Sequence, residues 1–125
     1  MAKKIVIMLL NANPGDPTTL GSPFFQAAAA ASMDLEVEVY FAGRATALLR
    51  QGVAERLFPG DKGEKSIYAF MQDAHRAGAR FYACGGALEE NGIEPDNAIP
   101  ELDAVRGGGA FISATVEDGV VTLTY

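Results

Sequence analysis

A run of branched apolar residues near the start of the chain constrains the fold most. Residues 4–10 read Lys-Ile-Val-Ile-Met-Leu-Leu and lack the alternation of polar and apolar positions that a half-exposed strand shows. Such a run is typical of a strand that is covered on both faces of a parallel sheet. The turn-rich loop at residues 11–19, which begins Asn-Ala-Asn-Pro-Gly, ends it. The opening of the chain therefore favours an α/β fold.

The rest of the chain alternates between strand-like and helix-like patterns. We predict further strands at residues 35–41, 80–84 and 119–125, and helical stretches at 21–33, 45–51, 66–77 and 85–91. Ser22 is the candidate N-cap of the first helix, and Pro23 lies in its first turn. Residues 110–118 fit either a strand or a helix, but strand and helix must alternate in right-handed parallel crossovers, which favours a helix. We expect a single doubly wound α/β domain, residues 1–125, with a mostly parallel sheet of four to five strands.

Charge and cysteine content exclude several classes of protein. The net charge is −6 and the longest basic run is Lys3-Lys4, so we expect no nucleic-acid partner and no binding to an anionic membrane surface. No apolar segment approaches the length of a membrane span. Cys84 is the only cysteine, which rules out an internal disulfide, a Cys-x-x-Cys pair and a cysteine-rich zinc site. These features indicate an intracellular, reduced protein.

Cys84 lies where the predicted third strand ends, and Gly85 and Gly86 follow it directly. Ligands and reactive groups of parallel sheets gather at the carboxyl ends of the strands. The two glycines let backbone amides approach the sulfur, and the following helix dipole favours a thiolate by about 0.3–1 kcal/mol. Glu89 and Glu90 oppose this effect, and no Lys, Arg or His follows closely in sequence. The pattern favours a moderately activated thiol, with a buried structural cysteine as the alternative.

The loop after the first strand ends at the same edge of the predicted sheet. If the first and third strands are neighbours, Asn11 and Asn13 line one wall of the Cys84 site. The loop also resembles a phosphate loop, although it lacks a Gly-x-Gly-x-x-Gly or Walker pattern and Asp16 would repel phosphate. A small-ligand or nucleotide-binding module, with Cys84 structural, therefore remains an alternative.

Two other groups of residues are assigned no chemistry. His75, the only histidine, lies at the end of the helix that leads into the third strand, and we expect it at the opposite edge from Cys84. The acidic residues near the third strand lack a metal-ligand spacing, and we expect a solvated face with no metal site. They are Glu89, Glu90, Glu94, Asp96, Glu101 and Asp103.

Four segments, taken in their order along the chain, carry a resemblance to a known family. They are Ile5 to Leu10 with residues 13–17 and 23–28, Leu35 to Gly43 with residues 47–52, Phe81 to Cys84 with Leu88, Gly92 and Ile93, and Val120 to Tyr125. In these segments the chain resembles the DsrE/DsrF-like family of small sulfur-relay proteins. The resemblance implies a flavodoxin-like three-layer domain with helices on both faces of the sheet, a cytoplasmic location, and a trimeric or hexameric assembly with related subunits. It also implies that Cys84 matches the cysteine that carries sulfane sulfur as a persulfide in sulfur-relay members.

These observations lead to one functional hypothesis and its rivals. The chain is expected to hold sulfane sulfur on Cys84, in a site lined by Asn11, Asn13, Gly85 and Gly86, and to exchange it with donor and acceptor proteins. That exchange requires a thiolate and a partner thiol but no metal or organic cofactor. The lack of basic residues after Cys84 favours a carrier over a thiosulfate-cleaving sulfurtransferase. The rivals are the ligand-binding module and a non-catalytic subunit of a homo-oligomer.

Overall fold

The computed structural model describes residues 1–60 and 63–125, which contain one sheet of five strands. Every neighbouring pair of strands is parallel, and their order across the sheet is β4-β3-β2-β1-β5. The α/β prediction is therefore confirmed. The strands are β1 Lys4–Leu9, β2 Glu36–Phe41, β3 Arg80–Ala83, β4 Leu102–Val105 and β5 Val120–Thr124.

Within residues 1–60 and 63–125, four α-helices and three short 3-10 helices connect these strands. The helices are α1 Gly21–Ser32, α2 Ile67–Ala77, α3 Gly85–Glu90 and α4 Gly108–Thr115, and the 3-10 helices are Pro17–Thr19, Gly43–Leu49 and Ala54–Arg56. The helix expected in the ambiguous segment 110–118 is α4. Among the described residues, no helix combines the length and the apolar character needed to cross a bilayer.

Helix α2 has the end signals that its sequence predicts. The Ser66 side chain accepts a hydrogen bond from the amide of Ala69 at 3.1 Å, and Gly78 ends the helix with a φ of 125°. Helix α1 differs, because Ser22 lies inside the helix and Leu20 precedes it without a side-chain cap. The prediction of Ser22 as the N-cap is therefore wrong. Residues 45–51 also differ from expectation, since the 3-10 helix Gly43–Leu49 covers most of them.

Helices α1 and α2 cover one face of the sheet, and α4 covers part of the other. In the larger core Phe24 of α1 packs between Phe41 and Phe81, with ring centroids 5.9 and 6.0 Å away. Burying each such side chain stabilises the fold by about 1.5–3 kcal/mol. In the smaller core Ala114 of α4 packs with Tyr40 and Tyr82 and with Val6 of β1. Helices thus lie on both faces, as a three-layer fold requires.

Candidate functional site

Cys84 is the residue between β3 and α3. Its backbone is extended, with φ −76° and ψ 128°, and it occupies the N-cap position of α3. Its amide donates to the carbonyl of Phe41 at 3.3 Å, and its own carbonyl accepts from Ala87 and Leu88 at 3.1 and 3.3 Å. The residue is half-buried and makes no disulfide. The sulfur therefore belongs to a well-anchored residue at the carboxyl edge of the sheet that solvent can reach in part.

Strand alternation determines which face of the sheet Cys84 shares. Side chains two residues apart lie on the same face of a strand, so Cys84 lies on the face of Tyr82. That is the face on which α4 packs, and it is the more open of the two. Phe81 and Ala83 point the other way, into the larger core.

Arg106 follows β4 and is the basic residue that the sequence analysis missed. Its amide donates to the carbonyl of Ala83 at 2.8 Å, which brings the backbone of Arg106 alongside Cys84. Its guanidinium lies over the ring of Tyr82, with Cζ 3.7 Å from the ring centroid. Its Nη1 donates to the hydroxyl of Tyr40 at 3.3 Å and lies 3.7 Å from Oε1 of Glu38. The guanidinium is thus held over Tyr82 and Tyr40, on the face of the sheet that Cys84 shares.

Glu38 and Lys4 continue this polar network along the same face of the sheet. Oε2 of Glu38 lies 2.9 Å from Nζ of Lys4, which also contacts Glu117 at 3.1 Å. The Tyr40 hydroxyl donates to Oε1 of Glu38 at 2.7 Å. Burial acts to raise the pKa of Glu38, but hydrogen bonds from Lys4 and Tyr40 outweigh it and hold that pKa below its ordinary value. The hydrogen bond with Tyr40 raises the pKa of Arg106 despite its partial burial.

The loop after β1 lies further from Cys84 than the sequence suggested. Strand β2 separates β1 from β3, so the two strand ends are two sheet spacings, or roughly 9.5 Å, apart. The wall expected from Asn11 and Asn13 depended on β1 and β3 being neighbours, which they are not. Asn11 is exposed, and the side-chain oxygen of Asn13 accepts a hydrogen bond from the amide of Gly15 at 2.8 Å. The structure therefore groups Cys84 with Gly85, Gly86 and Arg106.

Gly85 and Gly86 form the first turn of α3 and are exposed. A Cβ added to Gly85 would meet Val105 at 3.5 Å, and one added to Gly86 would meet nothing within 4 Å. Packing does not require glycine at either position. The open surface that they leave keeps one side of Cys84 accessible.

An apolar groove of about 390 Å³ borders this edge between α3 and β4. Leu88 of α3 and Val105 of β4 are among the residues that line it. Val105 is exposed, at 54%. The groove is therefore an apolar surface beside α3, the helix that Cys84 precedes.

His75 and Asp103 lie at the opposite edge of the sheet. Nε2 of His75 lies 3.0 Å from Asp103, whose carboxylate also accepts the amide of Phe81 at 2.8 Å, near the start of β3. His75 is thus remote from Cys84, as expected. The prediction of a solvated acidic face is only partly correct, because Asp103 makes these contacts and Glu101 accepts a hydrogen bond from Tyr68 at 2.7 Å. No cluster of three potential metal-ligating side chains occurs within the described ranges.

The family assignment rests on a sequence match along nearly the whole chain. The model of the DsrE/DsrF-like family matches residues 3–124. The chain belongs to this family. Membership points to a role related to sulfur relay and agrees with the α/β architecture described above. No curated protein is detectably similar in sequence.

Two solved structures share the fold. The ychN protein from E. coli is 20% identical, superimposes with a TM-score of 0.75, and each chain is covered to 100%. A protein of unknown function from Methanobacterium thermoautotrophicum, MTH1491, is 17% identical with a TM-score of 0.68, and each chain is covered to 98%. At these identities the similarity shows a shared fold.

Proposed function

We propose that this protein is a sulfur carrier that holds sulfane sulfur as a persulfide on Cys84 and passes it to a partner thiol. The observation that carries the proposal is the position of Cys84, half-buried and anchored at the carboxyl edge beside Arg106. A thiol sealed in the core could not meet a second protein. Membership of the DsrE/DsrF-like family supports the same role.

The proposed exchange conserves atoms and electrons in each half. The Cys84 thiolate attacks the terminal sulfur of a donor persulfide, a new S–S bond forms on Cys84, the donor's S–S bond breaks, and the donor leaves as a thiolate. An acceptor thiolate then attacks the outer sulfur on Cys84, takes it as a new persulfide, and releases the Cys84 thiolate. Neither half needs a metal or an organic cofactor. The partners are therefore sulfur donor and acceptor proteins, and the reducing cytoplasm is the compartment that suits a lone thiol.

Intact-mass measurement tests this proposal directly. The protein is incubated with inorganic polysulfide, freed of excess reagent, and weighed beside Cys84→Ser. We expect the wild type to gain the mass of one or more sulfur atoms, to lose it on treatment with a reductant, and Cys84→Ser to gain none. A wild type without added sulfur, or equal gains in both proteins, would refute the proposal.

We propose in addition that the chain forms a homo-oligomer, in line with the trimers or hexamers that the family resemblance implies. Ile112 of α4 and Val116, the residue after this helix, are exposed at 57% and 76%, and Val121 and Leu123 on the edge strand β5 are exposed as well. Exposed apolar clusters of this kind are typical of association surfaces. Light scattering should give a multiple of the 13.2 kDa chain mass, reduced by Ile112→Glu and unchanged by the exposed control Gln26→Glu. A monomeric wild type would contradict assembly.

The ligand-binding alternative receives less support from the loop after β1. Thr19 accepts the amide of Asn13 at 3.1 Å, and Asp16 accepts the hydroxyl of Thr18 at 2.6 Å. Many of the polar groups of the loop therefore form hydrogen bonds with one another. A thermal shift with flavin or nucleotides that persists in Cys84→Ala would favour this alternative.

A further inference from the structure

The edge strand β5 is uncharged and open to solvent on both faces. Its sequence is Val-Val-Thr-Leu-Thr, and the residues from Val121 to Thr124 are exposed. Natural proteins protect such edges with lysine, proline, a bulge or a covering segment. β5 contains no charge and no proline, and its register with β1 is regular. Within residues 1–60 and 63–125 no strand pairs with its outer side. These features are typical of an edge that another chain covers.

The backbone groups of β5 alternate between its inner and its outer side. The amide of Tyr125, the residue after β5, donates to Met8 at 2.9 Å, and its carbonyl accepts from Leu10 at 2.9 Å, so Tyr125 faces β1. Successive residues of a strand direct their backbone groups to opposite sides, and alternate residues of β5 therefore face away from β1. The outward-facing residues are Val120, Thr122 and Thr124. The outer side thus offers three donors and three acceptors.

We propose that β5 pairs antiparallel with β5 of a second copy of this chain, about a two-fold axis at Thr122. In this register Thr122 faces its own copy and Val120 faces Thr124 of the second copy, so each outward amide meets an outward carbonyl. The side chains of Val121 and Leu123 lie on the other face of the strand and meet each other across the contact. The inference rests on the proposed homo-oligomer and names a surface that joins two copies.

Charge favours the antiparallel direction of this contact. Lys3, Glu36, Glu117 and Asp118 surround the start of β5, whereas Leu10 and Asn11, which bond to the residue after its end, are uncharged. Antiparallel pairing lays each charged end beside an uncharged end. It keeps the two charged ends about 16 Å apart, the length of β5, which exceeds the Debye length of about 8 Å at physiological salt. Parallel pairing would place each charged group beside its own copy. The uncharged strand itself adds no repulsion between two chains of net charge −6.

A two-fold contact restricts the assembly that can form. It joins the sheets of two copies into one continuous sheet and uses the same surface on both, so it occupies subunits in pairs. A dimer or a hexamer can contain such pairs, but a trimer leaves one β5 edge without a partner. We therefore expect an even number of subunits in solution.

The first test changes the side chains that meet across the β5 contact. Val121→Lys should weaken association at this contact at least about tenfold in analytical ultracentrifugation. The matched control is Val105→Lys on the other edge strand β4, which should leave association unchanged. Adding Leu123→Glu to Val121→Lys should restore association, because antiparallel pairing places each new ammonium group beside a new carboxylate. Unchanged association in Val121→Lys, or no rescue by Leu123→Glu, would overturn the inference.

Amide exchange tests the backbone pairing independently of side chains. When the wild type associates, the amides of Val120, Thr122 and Thr124 should exchange at least about tenfold more slowly. The amide of Val105 is the control, because it precedes the inward-facing Arg106 on the other edge and should not change. Thr122→Pro removes one outward amide but no bond to β1, so it should weaken assembly in a folded protein.

These measurements separate the pairing of β5 from the homo-oligomer on which it rests. A monomeric wild type rejects both. An oligomer with an odd number of subunits, or one in which the outward amides of β5 exchange as fast as in the monomer, rejects only the β5 contact.

Discussion

The amide of Arg106 donates a 2.8 Å hydrogen bond to the carbonyl of Ala83, so the residue that follows β4 lies beside the residue that follows β3. This bond continues the parallel pairing of the two strands beyond their ends. Cys84 and Arg106 therefore hold their relative positions through the backbone, independently of any side-chain contact. The placement of the site depends on the docking of β4, a short edge strand.

The side chain of Asp103 links β4 to β3 and to α2, in addition to the backbone ladder. Its carboxylate accepts the amide of Phe81 at 2.8 Å and lies 3.0 Å from Nε2 of His75. Asp103→Asn weakens these charge-assisted bonds and should lower the free energy of unfolding by about 1–3 kcal/mol, measured in urea. The exposed residue Asp96 provides the control, and Asp96→Asn should change little. Equal stability of the two variants would mean that Asp103 does not hold the strand.

The strand β4 also shows where sequence patterns stop being informative. The apolar run of β1 and the alternation of β2 predict those strands because burial determines both. In β4 only Leu102 and Ala104 face protein, and the ladder shifts register between Phe81 and Tyr82. Side-chain contacts from Asp103 replace the apolar signal. A four-residue edge strand stabilised in this way carries too little pattern to stand out.

The candidate site was predictable to the same extent as its strands. The strand-then-glycine pattern located Cys84 at the carboxyl edge, and the structure places it there. A glycine also follows the end of β4, where Gly107 comes after Arg106. This pattern could not point to Arg106 from the sequence, because β4 itself was not predicted as a strand. The order of strands is a tertiary property as well, and for that reason the loop with Asn11 and Asn13 was expected too close to Cys84.

The larger core offers a matched pair of adjacent aromatic residues. Phe24 is fully buried between Phe41 and Phe81, whereas Phe25 is 65% exposed. Phe24→Ala should lower the free energy of unfolding by about 3–5 kcal/mol through lost burial and a cavity. Phe25→Ala should lower it by less than about 1 kcal/mol when measured in the same urea titration. A similar loss in both variants would place Phe25 in a buried interface of the assembly.

The raised pKa of Tyr68 predicts that the folded protein loses stability in alkali. Burial, together with the hydrogen bond to Glu101, raises the pKa of Tyr68 to about 12. The unfolded chain releases this proton near pH 10, so the stabilisation is complete below about pH 10 and disappears as the pH rises toward 12. Tyr68→Phe should lack this part of the loss, and Glu101→Gln should let Tyr68 ionise earlier in an absorbance titration. Identical alkaline profiles in wild type and Tyr68→Phe would contradict the assignment.

The lowered pKa of Glu38 predicts that the folded protein loses stability in acid. Burial acts to raise its pKa, but hydrogen bonds from Lys4 and Tyr40 dominate and keep the pKa below that of an unfolded glutamate, about 4.3. The ionised carboxylate therefore contributes its full stabilisation above about pH 4.3, and this is lost as the pH falls through the lower value of the folded protein. Glu38→Gln should lower the free energy of unfolding at neutral pH by about 1–3 kcal/mol, and its difference from wild type should shrink as acid is added. The control is Glu36→Gln at an exposed neighbouring position, whose stability should change with pH as that of the wild type does. If the stability difference between Glu38→Gln and wild type stays constant with pH, the Lys4–Glu38 pair does not stabilise this face of the sheet.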